Sequence, residues 1–267
     1  MAGTYSDRRL RVLVCAFACH PIAGSGLGGG EDVLGWNMVK QIARFHQVSA
    51  LTYAGNRAGI EQALAADLIS NVQFHYVDLP SWMRFLLRFQ GTHQFYSYLW
   101  QIKAYLVARK LQRNSPFGLF HHVTYANDWM ASFIGAFLPV PYIRGPGGGS
   151  HSTPKGFESE YPVGGRLWEK VRSLGQRFFR SDPFFRKGHK RARAILVCNR
   201  DSLANMPAKW SNKVQLFPVN GISSKDLSAT AQARSQPERF SVIAAGTLIR
   251  VKGFGLAIKA FKQFADK

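Results

Sequence analysis

The feature that most constrains this chain is a repeated order. A short apolar run is followed by a loop, and then by a segment whose apolar residues have helical spacing. Residues 12–17 read as a buried strand, 24–30 as a glycine-rich loop, and 32–45 as a helix with Val33, Leu34, Trp36, Val39, Ile42 and Ala43 on its apolar positions. The order continues with strands at 48–53 and 72–77 around a helix at 59–68, and with a long helix at 97–112. Short strands at 119–123, 142–144 and 194–198 follow. Parallel strands need crossover connections, and helices are the usual crossover, so this alternation predicts an α/β fold with a mostly parallel sheet covered on both faces.

Composition removes several other classes. With 20 Phe, 6 Trp and 9 Tyr the chain has the apolar area to fold, which excludes disorder. Three cysteines in 267 residues exclude a disulfide scaffold. Cys15 and Cys19 lack the second ligand pair of a zinc site, so all three cysteines are expected to be reduced packing residues, as in the cytoplasm. No apolar run approaches the roughly 20 residues of a bilayer-crossing helix. The start, Arg8-Arg9-Leu10-Arg11 and the apolar run after it, imitates a secretory signal. That run is short, however, and a glycine loop follows it directly, which favours a buried strand.

Charge is the first functional clue, because it is clustered. The 35 Lys+Arg stand against 15 Asp+Glu, a formal net charge of +20. Ten cations lie between Arg166 and Arg193, opposed only by Glu169 and Asp182. Six more lie between Arg84 and Arg113 with no acid among them, interleaved with Trp82, Phe85, Phe95, Tyr96 and Trp100. Cations alternating with large aromatics suit an anionic membrane surface, where charges meet phosphates and rings enter the interface. A solvated basic face over ordinary core aromatics has the same composition. Nucleic acid would draw on the same charge, but no helix-turn-helix, zinc or RNA-binding signature accompanies it, and no nucleic-acid partner is expected.

Three glycine-rich segments stand where strands end. Gly24 to Gly30 leads into the first helix; Gly145 to Gly149 follows the strand ending at Arg144; Gly246 to Gly253 carries Thr247, Arg250 and Lys252 before a last helix at 256–264. Loops at the carboxyl ends of parallel strands line the ligand crevice. Glycines there admit close backbone approach, and helix starts offer N–H groups to an anion. The first loop is neither a dinucleotide fingerprint nor a P-loop. Arg250 and Lys252 beside a helix start suit a pyrophosphate. His121 and His122 are expected at the same edge, at the end of their strand, where an imidazole can donate to or accept from a sugar hydroxyl.

Residues 223–238 lose the apolar period, and beyond them strand (240–244), loop and helix resume. A first domain over 1–222, a linker over 223–238 and the beginning of a second domain over 239–267 are therefore expected. One strand–helix unit cannot cover its own faces, so the chain reads as a fragment of a longer protein.

These motifs together resemble family 4 of the retaining glycosyltransferases, which have the GT-B fold of two Rossmann-like domains. The resemblance runs along nearly the whole chain. It rests on Gly28-Gly29-Gly30-Glu31 with Gly35-Trp36, on Phe117 to His122, on Gly145-Pro146-Gly147-Gly148-Gly149, on Pro218 to Ile222, and most specifically on Gly246 to Gly253 with Ala257 to Phe261. It implies transfer of a sugar, with retention, from a nucleotide-diphosphate sugar to a glycan or lipid-linked acceptor in cell-surface polysaccharide or glycolipid synthesis. It implies no cofactor and no metal, and a cytoplasmic, peripheral location at the inner face of the membrane. His121 and His122 would be the catalytic-site histidines. Gly29, Gly30, Thr247, Arg250 and Lys252 would hold donor phosphates, and Gly147, Gly148 and Gly149 would form the acceptor-side loop. Three departures stand out. Thr247 replaces the family's arginine, His121-His122 replaces its more usual spaced pair, and its later acidic signature lies beyond Lys267, so this chain by itself is expected to be inactive. A non-catalytic membrane-surface binding module and a basic nucleic-acid-binding protein are the rival readings.

Overall fold

The computed structural model describes residues 9–67, 69–88, 92–149, 156–157, 161–219, 221, 241–246 and 252–265. The chain divides into two compact units, one of residues 1–151 and 162–219, the other of residues 152–161 and 220–267.

In the first unit the described strands are β1 (Arg11–Ala16), β2 (Gln47–Tyr53), β3 (Val72–Val77), β4 (Leu119–Thr124), β5 (Tyr142–Gly147), β6 (Ala194–Val197) and β7 (Val214–Leu216). They form one sheet in the order β3-β2-β1-β4-β5-β6-β7, and every pairing is parallel. Its helices are α1 (Gly30–Ala43), α2 (Arg57–Ala66), α3 (His93–Asn114), α4 (Phe133–Phe137), α5 (Val163–Arg180), α6 (Pro183–Arg191) and α7 (Arg200–Ala204). This is a Rossmann-like α/β fold. Of the second unit, helix α8 (Phe254–Ala265) is described.

Side chains of β1 alternate between two cores, as the strand period of two requires. Leu13 and Cys15 join Leu51, Phe120 and Tyr142 under α3. Val12, Val14 and Ala16 join Val48, Ala50, Trp36, Val39 and Ile60 under α1 and α2. Helix α3 approaches closely because Ala104 and Ala108 face the sheet, and the buried Trp100 donates from Nε1 to the Val77 carbonyl at 2.8 Å. The basic-aromatic stretch therefore splits: Tyr96 and Trp100 are core, whereas Trp82, Phe85 and Phe95 are exposed.

Most expected strands coincide with observed ones to within a residue, and three differences have physical reasons. Strand β5 continues through Gly145-Pro146-Gly147, where a loop is expected, because the Cys198 amide donates to the Gly147 carbonyl at 2.8 Å and keeps the edge paired. His121 and His122 lie inside β4 rather than at its end, because pairing with β1 runs on to Thr124. Residues 241–245 have no regular structure where a strand is expected; the rest of that segment, 240 included, lies outside the described residues.

Gly35 sets how closely α1 packs. A Cβ there would come 2.1 Å from the Ala18 carbonyl oxygen, a backbone atom that cannot swing aside, whereas one at Gly175 of α5 would meet open space. Gly35→Ala is expected to destabilise the unit by about 1–3 kcal/mol. Gly175→Ala is expected to stabilise it by about 0.5–1 kcal/mol. Urea unfolding midpoints check both, and equal midpoints for the two variants would contradict this packing.

Candidate functional site

Strands β1 and β4 are adjacent, but the connections on either side of them run in opposite directions. Covering loops diverge at such a switch point, so a crevice opens outside the carboxyl ends of the two strands. Residues after β1, β4, β5 and β6 line it.

The loop after β1 is organised by a carboxylate. Asp32, in the first turn of α1, is buried, and its Oδ2 accepts from the Gly28 amide at 3.1 Å. A Cβ at Gly26 would sit 2.6 Å from Asp32 Oδ1, so the loop closes on this side chain only because glycine is there. Gly29 turns the chain into the helix with φ 58°. Burial pushes the Asp32 carboxyl above its ordinary range, while the amides of Gly28, Gly26 and Gly29 and the nearby His20 favour its charge. The loop thus wraps its amides around an anion of its own. Gly29 and Gly30, expected to meet a donor phosphate, stand next to the carboxylates of Glu31 and Asp32, which repel one.

Glu31 is the second acidic group. Its Oε2 accepts from the Tyr125 amide at 3.4 Å, at the start of the loop after β4. Burial raises its pKa to about 7, and the Asp32 charge adds to the rise against the Tyr125 hydrogen bond. Tyr125 has φ 52°, unusual for a non-glycine residue, and donates its hydroxyl to the Leu27 carbonyl at 3.2 Å. It fastens the β4 loop to the glycine loop.

Asp128 is the third. It is buried, its amide donates to the Gly148 carbonyl at 3.1 Å, and its Oδ2 has no hydrogen-bond partner. Gly147 and Gly148 pack in a narrow slot. A Cβ at Gly147 would be 2.5 Å from the Ala126 carbonyl oxygen, and one at Gly148 would be 2.7 Å from Cys198 Sγ. Burial, then the charges of Asp128 and Glu31, raise the Cys198 thiol pKa, so the half-buried thiol stays protonated beside them. Gly149 has φ 95°, and its carbonyl accepts from Gln176 of α5 at 3.1 Å. The acceptor-side glycines therefore have a packing reason, and they hold together the β4 loop, the β6 end and α5.

His121 and His122 are both buried. His121 Nε2 is 2.7 Å from the Gly145 carbonyl oxygen, which can only accept, so the proton is on Nε2. Burial lowers its pKa to about 4. Burial, then the charges of Arg144 and His121, hold His122 well below the ordinary range. Both are neutral at pH 7 and face protein rather than the crevice. Arg144 of β5 is also buried, donating to the carbonyls of Asn127 and of Met130 (2.6 Å), and so fixes the β4 loop from below.

Asp128 also lines one wall of a cavity of about 340 Å³ with Arg180, Phe185, Arg186, Lys209 and Trp210. In the second unit Lys252 is exposed, and Gly253 (φ 67°) precedes α8, its carbonyl accepting the Ala257 amide at 2.9 Å. Thr247 and Arg250 lie outside the described residues. Among the described residues no group of His, Cys, Asp and Glu side chains could hold a metal ion, and no helix is long and apolar enough to cross a membrane. Sequence reasoning overlooked Asp32, Asp128 and Tyr125; the one available signal was an acidic pair just after a glycine run at a helix start. Neither a protein-family model nor a curated protein matches this chain.

Glu31 yields a pH prediction. Its folded pKa, about 7, lies above the unfolded value of about 4.3, so the folded state holds the proton more tightly. The stabilising contribution is fully present below about pH 4 and is lost as pH rises through 7. Glu31→Gln keeps an acceptor for Tyr125 without the charge. It is expected to stabilise the protein by up to about 3.5 kcal/mol at pH 8 and by about 0.5 kcal/mol at pH 4.5. Urea titrations at the two pH values check it; an equal effect at both would contradict it.

Proposed function

We propose that this chain carries the acceptor side, and around Lys252 a donor-phosphate site, of a retaining glycosyltransferase that uses a nucleotide-diphosphate sugar. The observation that carries the reading is the acidic rim of the switch-point crevice. Glu31 is in the first turn of α1 and Asp128 in the loop after β4, with Asp128 Oδ2 buried and lacking a partner. Carboxylates of this kind accept hydrogen bonds from sugar hydroxyls and repel phosphates, which suits the acceptor half of such an enzyme. The donor's diphosphate is assigned to Lys252, Arg250, Thr247 and the start of α8, where a cation and unpaired helix amides suit it.

In the reaction the acceptor oxygen bonds the donor's anomeric carbon as the bond from that carbon to the nucleoside diphosphate breaks. The hydroxyl proton leaves with the diphosphate. Cations and helix amides stabilise the charge that develops on that leaving group. His121 and His122, buried and neutral, act as positioning residues that hold the β4–β5 edge below the crevice. A lipid-linked acceptor at the inner face of an anionic membrane fits the chain's basic charge.

The protein is tested with a panel of nucleotide sugars and lipid-linked acceptors, following nucleoside diphosphate release and the anomeric configuration of the product. Retention is expected. Lys252→Ala is expected to lower kcat/KM by at least about tenfold, equivalent to 1.4 kcal/mol or more of lost transition-state stabilisation. Inversion, or unchanged kinetics in that variant, would contradict the proposal.

A further inference from the structure

Helix α5 has an arrangement that the fold does not use. At about 100° per residue, Val163, Leu167, Val171, Leu174 and Phe178 fall within an arc of about 80°. All five are exposed, from 54% at Val171 to 78% at Val163. The opposite side of the helix faces the protein: Gly165 is buried, Glu169 and Arg172 pair at 2.8 Å, Gln176 reaches Gly149, and Phe179 packs on Tyr98 and Trp129. The apolar stripe therefore points directly away from the body that holds the helix. Such a face is costly in water and calls for an occupant.

Charge identifies that occupant. Arg166, Lys170 and Arg177 follow one another along one edge of the stripe, and Trp168, 58% exposed, lies beyond the other edge. The only acid on the helix, Glu169, is engaged by Arg172 on the protein side. Positive charge continues past the helix end, where Arg180, Arg186 and Lys209 line one cavity and Arg186, Lys190 and Lys209 line the next. Tyr98 of α3, packed on Phe179, sets α3 alongside, and its outer face shows Phe95, Ile102 and Leu106 among Lys103, Arg109 and Lys110. An apolar stripe edged by cations and an interfacial aromatic matches the depth profile of an anionic leaflet, with acyl chains inside and phosphates outside.

We propose that α5 is a docking helix that lies in the plane of an anionic lipid surface, with its stripe from Val163 to Phe178 in the acyl region and Arg166, Lys170 and Arg177 at the phosphates. The contact from Gln176 to Gly149 ties the docked helix to the loop at the end of β5, so a lipid-borne acceptor is presented at the crevice edge. Gly164, Gly165 and Gly175 weaken the helix in isolation, so lipid should tighten it. The proposal sharpens the membrane location inferred above. Vesicle binding requires no turnover, so it can fail without the transferase reading, and the reverse also holds.

Flotation of the full chain with vesicles of phosphatidylcholine and phosphatidylglycerol tests it, alongside vesicles of phosphatidylcholine alone. Binding to the anionic vesicles is expected, with little to the neutral ones and progressive loss as salt rises. Leu167→Asp with Leu174→Asp, and separately Lys170→Glu with Arg177→Glu, should each weaken binding at least about tenfold. Both pairs are on the exposed surface, so thermal melts should match wild type. A Leu167→Lys with Leu174→Lys variant adds two positive charges while removing the stripe, and it should also fail to float. Flotation of the stripe variants like wild type, equal binding to neutral vesicles, or a wild-type dimer in light scattering that the stripe variants dissolve would each overturn the proposal. The last outcome would make the stripe a contact between two copies of this chain.

Discussion

The buried carboxylate of Asp32 is the interaction on which the geometry of the crevice depends. Without a charge to gather them, the amides of a loop as rich in glycine as residues 24–30 have no reason to converge, and the chain pays a large entropy to be ordered there. Asp32 supplies that charge from the first turn of the helix the loop leads into, where the helix start favours an anion. Once the loop has closed on Asp32, the position of Glu31 follows, and Glu31 meets the amide of Tyr125. Tyr125 in turn reaches Leu27. The two loops at the switch point are thus held by one short network rather than by contact with a ligand.

Under the proposed function, that network is the reason the crevice is given the acceptor half of the reaction. A glycine loop with free amides at a helix start is a phosphate site; the same loop turned on its own aspartate is not. What the two loops leave unused is hydrogen-bond acceptance. Asp128 leaves an oxygen unpartnered, and Glu31 titrates near neutral pH because burial, rather than a cation, sets its environment. Both are properties that sugar hydroxyls can use. Helix α5, hydrogen-bonded to Gly149, ties its exposed apolar stripe to the loop at the crevice, which is what the proposed handling of a lipid-borne acceptor requires.

The fold was legible because parallel strands are buried on both faces and are written as nearly unbroken apolar runs; the run from Val12 to Ala16 lies within β1 and is buried throughout. Strand β7 was not legible, since Val214–Leu216 is three residues long and two of the three are exposed. The glycine run from Gly145 reads as a loop after the strand, and the Gly147–Cys198 pairing extends the strand through its first three residues. At the site, glycine placement was legible and glycine purpose was not. The first loop serves Asp32, and Gly147 and Gly148 serve Ala126 and Cys198, facts that belong to tertiary approach rather than to spacing. The clustered cations were legible as a surface. Their division between a core-facing α3 and an outward α5 required knowing which side of each helix packs.

The central claim is that the first unit's crevice receives hydroxyls and that phosphates are received elsewhere. The most direct measurement is an NMR titration of the isotope-labelled full chain, following backbone amides as neutral saccharides and, separately, a nucleoside diphosphate are added. The account predicts that saccharides shift the amides of Gly28, Tyr125, Asp128 and Gly148, while the nucleoside diphosphate leaves those unmoved and shifts the amides around Lys252 and Gly253. Shifts at Gly28 to Gly30 on adding the nucleoside diphosphate, with none on adding saccharides, would contradict it.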